Sequence, residues 1–342
     1  EDTLFRIYSM TKPITSVALM TLYEHGRFQL DDPIERHLPE LGDLQVFASG
    51  TAEDFSTVPA ERSVTIRDLL THTAGFTYGF MQAHPVDALY RARDIGGVAT
   101  RGTLAGMVTM LGETPLLFQP GTRWSYSVAT DILGRLIEVL SGQTLDRFLN
   151  DVILEPLGML DTGFHVRPES ASRFAACYER QGDGLRLQDA PGTSSYLEAP
   201  SFLSGGGGLV STSSDYLRFC RMLLGNGALD GQRILGRRTL ELMRRNHLPS
   251  GGDLTSMGQP VFSETRYDGI GFGLGWSVVL DPARAQVSCS PGELAWGGMA
   301  STAFWVDPAE DLAVIFMTQL IPSSSYPIRR ELRALIYQAL DD

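Results

Sequence analysis

The sequence predicts an α+β fold, with an antiparallel sheet flanked by helices and a mostly helical second lobe. Three observations carry that expectation. Strand-like apolar stretches crowd into the region from about Gly271 to Gln319, and a helical pattern follows from about Tyr326 to Leu340. The region from about Asp31 to Gly208 reads instead as helices joined by long loops. Strand and helix do not alternate along the chain as a parallel α/β sheet would require. The expected division is an α/β lobe from 1–30 and 209–342 and a mainly helical lobe from 31–208, with a cleft between them.

Composition narrows the function. The chain has 342 residues, 43% of them hydrophobic, enough for a sizeable core. Its net charge of −12 opposes a polyanion, so nucleic acid is not an expected partner. No run of 18 apolar residues suggests a membrane span, and the first residues do not resemble a signal peptide, so a soluble cytoplasmic protein is expected. Three cysteines, Cys177, Cys220 and Cys289, are far apart and form no C-x-x-C pair, and six histidines show neither H-x-H nor H-E-x-x-H. Neither a disulfide framework nor a metal site is expected, and no cofactor is implied. Oligomeric state cannot be read from the sequence.

The first helix carries the most informative residue. Of 28 Lys and Arg residues only one, Lys12, is lysine. Lysine differs from arginine in that its amine can exchange a proton, so a position that needs proton chemistry would retain it. Around it runs Ser9-Met10-Thr11-Lys12-Pro13, followed by apolar residues at helical spacing to Gly26. Ser9 is expected where the helix starts, and residues three apart share a face, so the hydroxyl and the amine can meet as nucleophile and activator. The helix dipole would favour negative charge developing at the serine oxygen. The structural alternative is a plain serine N-cap.

Further along, Tyr126 follows the Pro120-Gly121 turn and precedes a helical pattern from Ala129 to Leu140, which places it on a short loop held by that helix. A phenol there could reach Ser9. His72 lies in a T-H-T-A-G turn, where a structural hydrogen bond is expected. Gly205–Gly208 lacks a following G-K-[ST] and reads as a flexible turn beside the site, with Ser211–Asp215 as a helix cap. Arg237-Arg238 and Arg244-Arg245 belong to an exposed helix. Trp296-Gly297-Gly298 falls between strand-like Ala285–Ser290 and Thr302–Asp307, so it is expected at the edge of the sheet, with Asp311–Met317 as the next strand. Loops Phe76–Thr100 and Pro249–Asp268 are expected at the entrance.

The order S-x-x-K, Tyr126-Ser127-Val128, Trp296-Gly297-Gly298 resembles the three motifs of serine β-lactamase and penicillin-binding folds, S-x-x-K, Y-x-N and K-T-G. Leu69–Gly75, Gln119-Pro120-Gly121, Glu155–Thr162 and Gly205–Asp215 also look like the class C branch. The resemblance implies a serine β-lactamase-like fold, a catalytic set of Ser9, Lys12 and Tyr126, and an oxyanion hole from the backbone N–H groups of Ser9 and Met299. It also implies a helix and first strands ahead of Ser9 that this sequence does not contain. Two departures bear on substrate: Val128 replaces the asparagine and Trp296 replaces the lysine that would hold a carboxylate. With Trp296, Gly297, Gly298 and Val128 lining it, the pocket suits neutral acyl esters, and the pattern closely resembles the family VIII carboxylesterases. The expected activity is hydrolysis of short- to medium-chain esters through an acyl-enzyme on Ser9. A class C-like β-lactamase, an amidase or transacylase, and an inert binding module are the alternatives. No G-x-S-x-G elbow points to an α/β-hydrolase, and no motif supplies a dedicated deacylating glutamate.

Overall fold

The computed structural model describes residues 1–97, 100–258 and 267–340. Helix α1 (Thr11–Glu24) is buried without interruption from Thr11 to Leu22. A helix enclosed on every face belongs in the middle of a core, and each large aliphatic side chain it buries contributes about 1.5–3 kcal/mol. Its main neighbour is α2 (Ala129–Ser141), whose inward face holds Ile132, Leu133, Leu136 and Ile137 and which ends at Gly142 in the left-handed region.

A five-stranded antiparallel sheet is built from β1 (Ile270–Phe272), β2 (Ser277–Val279), β3 (Leu294–Gly297), β4 (Ala303–Asp307) and β5 (Leu312–Phe316), in the order β5-β4-β3-β2-β1. Helix α3 (Ser213–Leu224) packs on β5 and β4, capped by Thr212, whose hydroxyl accepts from Asp215 N–H at 3.1 Å. Helix α4 (Ile328–Tyr337) is tied to the sheet through Arg333, which pairs with Glu293 at 2.7 Å and lies over the Trp305 ring. The expected strand region and C-terminal helix are therefore present.

Two expectations need correction. Ala285–Ser290 is not a strand: Asp281 accepts from the N–H groups of Ala283 and Arg284, Pro282 takes the first position, and the chain makes the short helix Pro282–Ala285 instead. Trp296 is not on a sheet edge, because β3 is the central strand. Its pairing with β2 covers only Ala295 and Leu294, so the end of β3, from Trp296 onward, is open on that side although the strand is internal.

The middle of the chain contains more strand than its sequence suggests. Hairpins form at Gln45–Gly50 with Phe55–Pro59 and at Cys177–Gln181 with Gly184–Asp189. The second hairpin is extended by Leu320–Ile321, pairing in parallel with Tyr178 and Glu179, so one small sheet joins chain from either side of residue 208. Of the expected entrance loops, residues 98–99 and 259–266 lie outside the described residues. Among the described residues, no helix is long and apolar enough to cross a membrane.

Candidate active site

Ser9 stands in a single 3-10 turn, Tyr8–Met10, that leads into α1. It does not cap the helix: Met10 occupies the cap position, with no side-chain hydrogen bond there. Tyr8, immediately before Ser9, has φ +43, a left-handed conformation that costs a residue with a Cβ about 1–2 kcal/mol. Burial of its ring beside Cys177 and Ala300 holds it in place. Arg6 anchors the approach to the turn. Its guanidinium binds Asp189 and lies over the Phe174 ring, and the Gln319 side chain receives the Arg6 N–H at 3.1 Å and donates to the Arg6 carbonyl at 3.0 Å.

The Ser9 hydroxyl, freed from capping, meets two groups. Tyr126 OH is 2.6 Å from Ser9 Oγ, and Lys12 Nζ donates to the same oxygen at 3.4 Å. The structure thus brings together the three side chains that the motifs singled out. Lys12 is 1% exposed and donates also to Tyr78 OH at 3.0 Å and to the Gly206 carbonyl at 2.7 Å, with its Nζ 4.5 Å from the Tyr126 ring centroid.

The Gly205–Gly208 turn is held rather than flexible. Thr15 Oγ1 donates to the Gly205 carbonyl at 2.8 Å, and Asp131 Oδ1 accepts from Ser204 Oγ at 2.6 Å and from Gly206 N–H at 2.9 Å. Asp131 lies in the first turn of α2 and is 1% exposed. Burial pushes its carboxyl up from the ordinary value, while Lys12, Ser204 and Gly206 pull it back. His72 is buried and held well below the usual imidazole value by that burial and by the Lys12 cation; its Nδ1 is 3.0 Å from Ser127 Oγ, the structural bond expected of it.

Beyond the triad, Trp296 packs on Tyr126 at 5.5 Å and edge-on to Phe272 at 5.3 Å, which gives the site an aromatic wall. Val128 does not share that wall. It is fully buried, packed so closely on Gly96 that a Cβ there would fall 2.1 Å from its Cγ1, and its expected place among the substrate contacts is corrected accordingly. Met299 is 40% exposed on the turn that follows β3. Among the described residues neither the Ser9 nor the Met299 N–H is engaged by a protein acceptor, while their neighbours Met10 and Gly298 are bonded to Ile7 and Thr302.

Gly298 lets the strand end approach the turn that carries Ser9. A Cβ at this position would sit 2.1 Å from Thr302 Oγ1 and 2.5 Å from the Ile7 carbonyl, so the strand end rests directly on the chain two residues before Ser9. Replacing Gly298 with valine should push the strand end away from the turn that carries Ser9 and lower kcat about 100- to 1000-fold, the range seen when one backbone donor beside a nucleophile is displaced, with a smaller change in KM. Steady-state kinetics beside a thermal melt would check this, since a wholly structural effect would lower Tm without separating kcat from KM.

Tyr78 and Asp131 are the two site residues that the sequence reading missed. Tyr78 is buried beneath Lys12, and burial followed by the charges of Asp131 and Tyr126 drives its phenol far above the ordinary value, so it remains protonated. Nothing in its local pattern marks it. Asp131 did leave a signal: it is an acidic residue at an inward position of α2, between Thr130 and Ile132.

With the geometry in hand, comparison with known proteins is informative. Esterase EstB of Burkholderia gladioli is 32% identical over 358 residues, covering 98% of this chain and 83% of that protein. Among solved structures, EstCE1, a hydrolase with promiscuous acyltransferase activity, superposes with a TM-score of 0.80 at 27% identity, over 98% of this chain and 85% of that one. Simvastatin synthase (LovD) from Aspergillus terreus superposes with a TM-score of 0.81 at 25% identity, over 99% and 85%. The beta-lactamase family model matches residues 1–338, and the chain belongs to that family.

Proposed function

We propose that this protein is a serine carboxylesterase that hydrolyses short- to medium-chain acyl esters through an acyl-enzyme on Ser9. One observation carries the reading: a single serine oxygen lies within hydrogen-bond reach of both a phenol and an amine, Tyr126 at 2.6 Å and Lys12 at 3.4 Å. In the first step Tyr126, acting as the phenolate beside the Lys12 amine, takes the Ser9 proton as the Ser9 oxygen bonds to the substrate carbonyl carbon. The N–H groups of Ser9 and Met299 receive the developing oxyanion. The intermediate collapses as the C–O bond breaks, and Tyr126 returns the proton to the leaving alkoxide. Water repeats the sequence on the acyl-enzyme and frees the acid. Ser9 and the attacking water supply the protons that the two steps move, and Tyr126 carries them.

The substrate class rests on Trp296. An indole stands where a carboxylate-binding lysine would be in the resembling lactamases, beside Phe272 and Tyr126, and this surface favours a neutral acyl or alkoxy group over an acid. A neutral small-molecule ester is the expected partner, and similarity to EstB agrees with it. Acyl transfer to an alcohol is the second reading, favoured by a 29% identical relative named acyltransferase calJ, from Penicillium decumbens.

The test is turnover of p-nitrophenyl acetate through hexanoate beside the cephalosporin nitrocefin, with and without added alcohol. The expected result is ester cleavage at least about 100-fold more efficient than nitrocefin cleavage, the discrimination a missing charged anchor supplies. Dominant nitrocefin turnover would refute the Trp296 argument. Trapping of the acyl group by alcohol in preference to water would move the assignment to a transferase.

A further inference from the structure

His72 is a buried residue that the steps on Ser9 do not use, and its backbone is held in an unfavourable conformation. Its φ is +58, in the left-handed region that histidine and asparagine enter more readily than most residues with a Cβ. The side chains around it lock the turn: Thr71 Oγ1 donates to the Arg67 carbonyl at 2.8 Å, and Thr73 Oγ1 lies 2.9 Å from Thr71 Oγ1 and 3.2 Å from Asp68 Oδ1. A strained residue that its surroundings hold this firmly beside a site is a candidate for a functional role.

The residues that His72 holds flank Tyr126. Its carbonyl accepts the Ser125 N–H at 3.0 Å, and its Nδ1 is 3.0 Å from Ser127 Oγ. Ser127 is 1% exposed, and its oxygen accepts the N–H of Ala129, the first residue of α2, at 3.3 Å. One residue therefore ties the loop on each side of position 126 and, through Ser127, to the start of α2. The imidazole lies 5.2 Å from the Tyr126 ring, with Trp124 and Phe272 edge-on to it at 6.1 and 5.5 Å. The ring is neutral, held so chiefly by burial, and its tie to Ser127 is an uncharged bond.

We propose that His72 is a positioning residue: by gripping residues 125 and 127 it holds the Tyr126 hydroxyl at its 2.6 Å contact with Ser9 Oγ. The proposal rests on the reading of Tyr126 as the proton carrier. A phenol carried on a loop needs such a hold, because proton transfer works only within hydrogen-bond reach.

Ser127→Ala cuts the tie from the far side without changing residue 72, and His72→Ala removes it from the near side. Either should lower kcat for p-nitrophenyl butyrate about 10- to 100-fold with KM within about threefold, the cost of displacing a catalytic group by about 1 Å. The two losses should not add in the double variant, since both break one bond. His72→Asn tolerates the left-handed backbone and offers an amide near the place of Nδ1, so it should return kcat to within about fivefold of the wild type. Thr73→Val loosens the same turn without touching Ser127, and should lower Tm while kcat stays within about threefold. Unchanged kcat in either folded alanine variant, an asparagine variant no faster than His72→Ala, or an equal loss in Thr73→Val would each overturn the proposal. Because the two alanine variants act on opposite ends of the bond, failure of one to fold leaves the other to decide.

The rate at which a fluorophosphonate labels Ser9 separates this proposal from the substrate assignment. Slow labelling of both alanine variants beside fast wild-type labelling, in a protein that cleaves no ester of the panel, would refute the esterase reading and support the positioning role. Wild-type labelling rates in every variant would overturn the positioning role with ester turnover intact.

Discussion

Ester hydrolysis by Ser9→Ala should fall by about four to six orders of magnitude, the loss seen when the nucleophile of a cooperating catalytic set is deleted. The geometry makes this a clean experiment. Ser9 caps no helix, and its hydroxyl's partners, Tyr126 and Lys12, belong to the site itself. Removal leaves Lys12 with Tyr78 and Gly206 as acceptors and Tyr126 packed against Trp296, so the fold has little to lose. The expected Tm change is within about 1 °C, corresponding to less than about 1 kcal/mol. A fluorophosphonate probe should label the wild type and leave Ser9→Ala unlabelled. Substantial turnover by the alanine variant would remove the acyl-enzyme mechanism from consideration and shift attention to a binding role.

Much of this site is legible in one dimension because its chemistry lies in short motifs. Ser9 and Lys12 are one helical turn apart, and a lone lysine among arginines stands out by count. Tyr126 is legible from its place between a Pro-Gly turn and a helix. What the sequence does not show is depth. Val128 occupies a motif position that suggests the pocket, yet the close packing on Gly96 turns it inward. Trp296 reads as an edge residue because it falls between strand-like Ala285–Ser290 and Thr302–Asp307, whereas pairing on both sides of Leu294 and Ala295 makes its strand the centre of the sheet. Partners from distant segments are equally hidden, and Tyr78, 66 residues from Lys12 in the chain, is the plainest case. The missed strand Gly184–Asp189 has a related cause: its Leu185 and Leu187 are exposed, so its alternation does not mark a core-facing strand.

Lys12→Arg retains the positive charge and should still lose about three to four orders of magnitude in kcat/KM. The pocket shows why charge alone is insufficient. Three acceptors converge on one nitrogen inside a space that leaves Lys12 1% exposed, whereas guanidinium is larger and planar and spreads its donors over a rigid fork. Forcing it in would displace Tyr78 or the Gly206 turn at a cost of about 1–3 kcal/mol. Lys12→Met should be as inactive but less stable, because it strands the Asp131 carboxylate in the interior, typically a loss of about 3–5 kcal/mol. Adding Asp131→Asn to Lys12→Met removes the stranded charge and should recover part of that loss, although the same Asp131→Asn change destabilises the wild type. Chemical denaturation of the four proteins in this cycle would measure the coupling directly. Additive effects would mean that the lysine and the aspartate are independent; a recovery of more than about 1 kcal/mol would establish them as one buried ion pair bridged by Gly206.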